Sequence, residues 1–358
     1  MATTLADIGH NRQPPLLDRN VRPGSEPYKQ HYKWIAKRIE ALDPEVDYAE
    51  IWRLTTTYYV DDMFMNIIYT TGIQNFTMPP AGTILLTNKG RGPTVADPDR
   101  RADETLRHFW KWFEFGPDDP ETQGSVEHVN KVHKAMSRIL PGAFPARDFV
   151  YTAGWTCCDV HRLFVSLGLE GFSEKQKRGA HRYWQKLMAH FKDEDGNPVA
   201  FPDSFDATIA YLEEYEAFDW PKVPTGKILA DALTAQYAKA WFPRGFHWLG
   251  RQVILSLQKP RTRELMDMGD PNPILRPMIR GGIAAFVWAK MHLLPDPKLS
   301  TPEKARLKNR EKGQHMRAPV AKVSACPYSS RVPLDVATQI PGPTGLAGYD
   351  NPTQTPLH

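Results

Sequence analysis

The chain has 358 residues, of which 41% are hydrophobic and 24% charged, enough apolar material to bury a core and too much for a wholly disordered protein. Its 45 basic and 41 acidic side chains leave a formal charge of +4, spread along the chain, so electrostatics supply no argument for nucleic acid as a partner. Three cysteines, two of them the neighbours Cys157 and Cys158, make no disulfide framework and point to a reducing compartment.

Residues 1–27 contain Pro14, Pro15, Pro23 and Pro27 with little periodicity and are predicted to form an arm. They carry no basic segment followed by an apolar run of signal-peptide length. Tyr32, Ile35, Ile39 and Leu42 then recur at three and four residues and stop before Pro44, which predicts a first helix. Residues 48–69 are predicted as one longer helix, with Ile51, Leu54, Tyr58, Phe64 and Ile68 on its buried side. The same spacing predicts helices over residues 99–114, 122–140, 147–167, 173–191, 203–217, 226–241, 245–257 and 275–294. Ser173 followed by Gln176 reads as a capping box. Hairpin signals are missing. The pattern predicts one all-α domain of about ten helices over residues 28–298. A charged run and then a proline-rich tail follow over residues 299–358.

No window approaches the roughly 20 apolar residues needed to cross a bilayer. The best stretch, residues 281–289, lies between Arg280 and Lys290 and reads as a buried helix. A cytoplasmic protein without a transmembrane segment is expected. Dinucleotide-binding glycine motifs, P-loops, nucleophile elbows, HExxH and CxxC are absent from the sequence.

Two segments carry candidate chemistry. In the first, Val129, His133, Met136 and Leu140 fall at intervals of four, three and four, so His133 shares an apolar stripe. His128 lies roughly 140° away around the axis, so the two histidines do not chelate one metal together. An inward imidazole must hydrogen-bond or coordinate something, and both a satisfied core histidine and a single axial ligand to an iron porphyrin meet that need. In the second, Arg101, Thr105 and Phe109 are spaced i, i+4, i+8, so a guanidinium, a hydroxyl and a ring share one side of a helix. They suit either a charge-rich helix start or a pocket that binds a propionate.

These segments, with Thr105 and His133 28 positions apart, resemble the family of haem-dependent oxygenases that joins the fungal MpaB enzymes to the bacterial rubber oxygenases, the latex-clearing proteins. Arg101-Ala-Asp-Glu-Thr105 looks like the family's Arg-x-x-x-Thr segment, and Asn130-Lys-Val-His133 resembles its Asn-x-x-His helix. Phe172-Ser-Glu-Lys-Gln-Lys with Tyr183-Trp-Gln-Lys-Leu-Met, and Phe201-Pro-Asp-Ser leading to Tyr215-Glu216, are similar to later parts of the pattern. The likeness spans residues 47–295. It implies a globin-like core around one haem b, with His133 as the iron ligand and Arg101 and Thr105 in or beside the pocket.

One departure matters. Where latex-clearing proteins carry a lysine before the motif threonine, this chain has Glu104, so a lysine-closed resting state is in doubt, and Glu104 has two readings, a buried carboxylate acting as distal base or a surface acid. Arg162, just after Cys157-Cys-Asp-Val-His161, is a candidate second propionate partner. Phe109, Trp112, Met136, Trp155 and Trp184 are candidates to line an apolar cavity. The resemblance implies activation of O2 and oxidation or cleavage of a C=C bond in a hydrophobic, isoprenoid-like small molecule. A haem sensor or carrier without turnover, and an all-α scaffold with no cofactor, are the rival classes.

Overall fold

The computed structural model describes Gly24, residues 26–88 and residues 92–311. Most of the predicted arm and the proline-rich tail beyond residue 311 lie outside the described residues. Among the described residues about 70% are helical and there is no β-strand, so the all-α class is correct. Among the described residues fifteen α-helices replace the expected ten or so. The first five are α1 (Trp34–Glu40), α2 (Tyr48–Thr56), α3 (Asp62–Phe76), α4 (Pro80–Thr87) and α5 (Pro93–Ala96). Next come α6 (Pro98–Phe115), α7 (Pro120–Ser137), α8 (Ala146–Ser166), α9 (Glu174–Met188) and α10 (Phe205–Ala217). The last are α11 (Pro224–Trp241), α12 (His247–Leu257), α13 (Pro260–Leu265), α14 (Leu275–His292) and α15 (Thr301–Glu311).

Proline starts explain part of the excess. Helices α4, α5, α6, α7, α11 and α13 each carry proline in the first turn, where its fixed φ suits a helix and its missing N–H costs nothing. The capping box at Ser173 and Gln176 forms as predicted, with both reciprocal bonds made. The single helix expected over residues 48–69 is instead α2 and α3. Thr55, Thr56 and Thr57 each return a hydroxyl to the carbonyl four residues back, and Asp61 accepts from the Phe64 amide to start α3. The carbonyls freed at the break are taken up from afar: Thr301 bonds Thr57 and Val60, and Lys290 bonds Tyr59.

Helix α8 runs through the middle of the main core, burying Tyr151, Trp155, Cys157, Cys158 and Val160. Helix α2 lies close against α9 because Gly179 faces Ile51; a Cβ there would stand 2.7 Å from the isoleucine methyl. Around that crossing Trp52 stacks on Tyr183 at 5.3 Å and meets Phe113 and Trp184 edge-on, geometries that favour aromatic pairs beyond simple burial.

Two expectations need correction. Helix α14, read from its hydropathy as buried, has no buried residue. It touches the body chiefly along α12, while Met278, Phe286 and Trp288 are exposed. Its two central glycines, Gly281 and Gly282, offer no side chain to pack. Residues 299–311, assigned to the tail, include α15, which is tied down by Thr301 at the α2–α3 break and by an ion pair from Arg306 to Glu114. Among the described residues no helix is long and apolar enough to cross a membrane.

Candidate functional site

Helices α6 and α7 form an antiparallel pair whose register is set by named contacts. Near their shared turn Lys111 donates to Glu121 at 2.9 Å. One turn further, His108 Nδ1 shares a 2.6 Å hydrogen bond with Ser125, whose oxygen also accepts from Trp112 Nε1 at 2.9 Å. Continued two more turns, the same register brings Arg101 opposite His133. The rotation of α7 is fixed by Asn130, which donates to the His190 carbonyl at 2.9 Å and accepts from the Lys192 amide at 3.2 Å. That double bond turns the position three residues on toward the interior. The asparagine of the Asn-x-x-His segment is therefore a positioning residue for the histidine.

The His133 ring stacks on Phe144 at 4.5 Å and 17° and meets Phe149 edge-on at 5.4 Å. Its Nδ1 is sealed from solvent and has no hydrogen-bond partner. Burial, with a further push from the nearby Arg101 charge, lowers its pKa to about 4, so the imidazole is neutral at physiological pH and carries a free lone pair. Arg101 donates from Nη1 to Thr105 Oγ1 at 2.7 Å, and the threonine hydroxyl donates to the Arg101 carbonyl at 2.9 Å. The guanidinium is thus oriented but not neutralised. Among the described residues it has no carboxylate partner, an expensive condition for a half-buried cation. The structure accordingly brings together three of the sequence-predicted residues: Arg101, Thr105 and His133.

It does not bring in the other two. Glu104 sits on the outer flank of α6, where it accepts from Arg100 Nε at 2.8 Å and its side chain is 41% exposed. The expectation of a buried carboxylate is corrected by that i,i+4 ion pair. Arg162 lies 13 residues beyond Phe149 on α8, about 20 Å along the axis at the standard rise. There its two terminal nitrogens grip Glu216 at 3.0 and 2.8 Å. Its fork is occupied, so it is not a propionate partner for a group at His133.

The Arg162 cluster was invisible as a unit in the sequence, where only Arg162 and Glu216 were noted, each in a different motif. Glu216 also takes bonds from Tyr151 and Lys259. Burial pushes Glu216 up, but the two cations outweigh it and hold it below the usual carboxylate range. Asp159, close by without a hydrogen bond of its own, is pushed up to about 7, mainly by burial. The convergence of Arg162 and Asp159 on α10 depends on packing between distant segments and has no local signal.

Of the apolar candidates, Phe109 and Trp155 line a small closed cavity of about 10 Å³, with Tyr69, Phe76 and Leu106. It is no larger than a single water molecule. None of Arg101, Thr105 or His133 lines it. Trp112 is held by Ser125, Met136 packs with Ala81 and Leu140, and Trp184 belongs to the aromatic core. Burial pushes the Cys157 thiol well up, which leaves no thiolate there. Among the described residues no three His, Cys, Asp or Glu side chains are grouped to hold a metal ion. No family model matches the chain, and no curated protein matches it.

Proposed function

We propose that the α6–α7 pair binds haem b through His133 and that the protein is a cytoplasmic, haem-dependent oxygenase acting on a hydrophobic small molecule with a C=C bond. One observation carries the reading: a neutral, inward imidazole nitrogen without a partner beside a half-buried guanidinium without a counter-ion. An axial nitrogen ligand and a carboxylate partner are what an iron porphyrin with propionates asks of its site. The donor set fits. The cavity beyond α6, about 10 Å³, is far smaller than a macrocycle and is not lined by His133, Arg101 or Thr105, so the reading rests on the donor set and not on a preformed pocket. Bound there, the iron porphyrin would supply dioxygen activation.

The chain's own residues divide the remaining work. His133 offers its lone pair while Phe144 and Phe149 hold its ring. Arg101 receives a carboxylate, and Thr105 keeps the guanidinium aimed. Phe109 and Trp155 supply apolar surface for an olefinic substrate. Glu104, facing water beside Arg100, has no part in this scheme.

The test is a haem titration read by visible absorption. Wild-type protein is expected to develop a bound Soret band at one haem per chain. His133→Ala is expected to lose or shift it, and Arg101→Gln to weaken affinity about ten-fold. An identical spectrum and affinity in His133→Ala would sink the ligand assignment. With haem bound, dioxygen uptake on adding an isoprenoid alkene separates an oxygenase from a carrier, which would pass intact haem to an acceptor.

A further inference from the structure

A second concavity, of about 440 Å³, lies at the N-terminal end of α14 and shares no residue with the α6–α7 constellation. Three guanidiniums line it: Arg263, Arg276 and Arg280. Arg263 is only 9% exposed. Its Nη1 donates to the Gln258 carbonyl at 2.8 Å and its Nη2 to Asp270 at 3.1 Å. Its Nε is buried and has no partner. Arg280 donates to the carbonyls of Ser256 and Ser166, which orient its fork without neutralising it. The Arg276 side chain has no hydrogen bond or ion pair among the described residues.

The one acid in the lining, Asp270, is 90% exposed and already bonded to Arg263. Counted over the lining, the pocket carries a surplus of two positive charges. Burial and the neighbouring Arg276 charge both disfavour the cationic form of Arg280, as expected where like charges converge without a counter-ion. Pro271, Pro273 and Pro277 form rigid apolar walls. Next to them in sequence, Ile274 and Met278 are 72% and 65% exposed.

We propose that this pocket binds the phosphate group of an organophosphate. A dianion matches the surplus of two charges, and planar guanidinium forks suit phosphate oxygens better than ammonium groups do. The volume is that of a small-molecule site. The proline walls leave room for an organic portion, and the exposed Ile274 and Met278 admit either a soluble phosphate ester or a lipid headgroup at a bilayer surface.

The experiment uses the full chain at low ionic strength, where surface charge is least screened. Calorimetric titrations with pyrophosphate and with glycerol 3-phosphate run beside flotation on phosphatidylcholine vesicles with and without phosphatidic acid. Arg276→Gln is the main variant, because this side chain is exposed and holds nothing else in place. Arg280→Gln is the second variant, and Arg244→Gln, an exposed arginine outside the pocket, is the charge control. At least one phosphate probe is expected to bind, and to weaken about ten-fold in Arg276→Gln while Arg244→Gln matches wild type. Binding of glycerol 3-phosphate that Arg276→Gln impairs supports the soluble source. Impaired binding confined to phosphatidic acid vesicles supports the lipid source. Absence of binding by every probe, or equal affinity in Arg276→Gln, Arg280→Gln and wild type, overturns the proposal.

Discussion

Two buried polar regions flank α3 and α6, and they treat their hydrogen-bonding groups in opposite ways. Between α3, α11 and the α12–α13 turn, amides interlock. Gln258 donates to Gln74 at 2.7 Å and accepts from Asn75 at 3.2 Å, and Asn75 in turn accepts from Thr262 at 2.6 Å. Further along, Asn66 joins Gln236 and receives the Trp241 N–H. Each of these amides has its partner inside the protein. At the α6–α7 pair, by contrast, the His133 nitrogen and the Arg101 charge are buried or half-buried with nothing to complete them. The pairing of these amides makes the first region a structural clasp, although the Thr70 and Tyr237 hydroxyls beside them have no partner among the described residues. Lack of pairing at the second is what the proposed ligand would answer, since an unpaired buried group is costly unless something completes it.

The largest effect should come from breaking the clasp. Gln258→Ala strands the Gln74 oxygen and an Asn75 N–H together, and the expected loss is about 3 kcal/mol. Urea unfolding at neutral pH reads it directly, and a loss below about 1 kcal/mol would remove the contrast between the regions.

The unsatisfied site should answer to acid instead. Because His133 titrates near 4 in the fold against about 6.5 when unfolded, its contribution is present above 6.5 and is lost as pH falls toward 4. His133→Phe keeps the ring stack on Phe144 and removes the titration. At pH 4.5 the variant should therefore exceed wild type by about 2 kcal/mol, with little difference at pH 7.5. Equal pH profiles would show that the ring is not held neutral by its surroundings.

Asp159 offers the opposite sign in a third setting. Raised to about 7 in the fold, it favours the protonated state, so its stabilising effect is full below about 4 and lost as pH rises through 7. Asp159→Asn should be more stable than wild type by about 2 kcal/mol at pH 8, roughly half of what the full rise to about 7 carries because the residue is only half-buried. It should be indistinguishable from wild type at pH 4, in thermal melts at both values.

Legibility in the sequence followed the range of the interactions. Apolar spacing gave most helices, and the Ser173–Gln176 cap formed as read because both partners lie within one turn. The break after Thr56 escaped notice, since its carbonyls are satisfied by Thr301 and Lys290, far along the chain. The short helices starting at Pro80, Pro93 and Pro260 span too few turns for apolar periodicity to mark them. At the site, the inward stripe of His133 and the i, i+4 pair of Arg101 and Thr105 were legible from helical periodicity. The Asn130 anchor and the capture of Arg162 by Glu216 depend on contacts with the segment after α9 and with α10 that no local pattern encodes.

The smallest expected effect separates neighbours on one helix. Residues 104 and 105 differ by about 100° around α6, which is enough to place Thr105 against the Arg101 guanidinium and Glu104 outside with Arg100. Exposed ion pairs of this kind add little, so Glu104→Gln should leave thermal stability and haem affinity unchanged. Thr105→Val, nearly the same size as the residue it replaces, removes the 2.7 Å bond that aims Arg101 and should weaken haem binding several-fold with the fold intact. A drop in haem affinity or turnover in Glu104→Gln with none in Thr105→Val would mean that α6 presents its other edge to the ligand, and the assignment of Arg101 would fall with it.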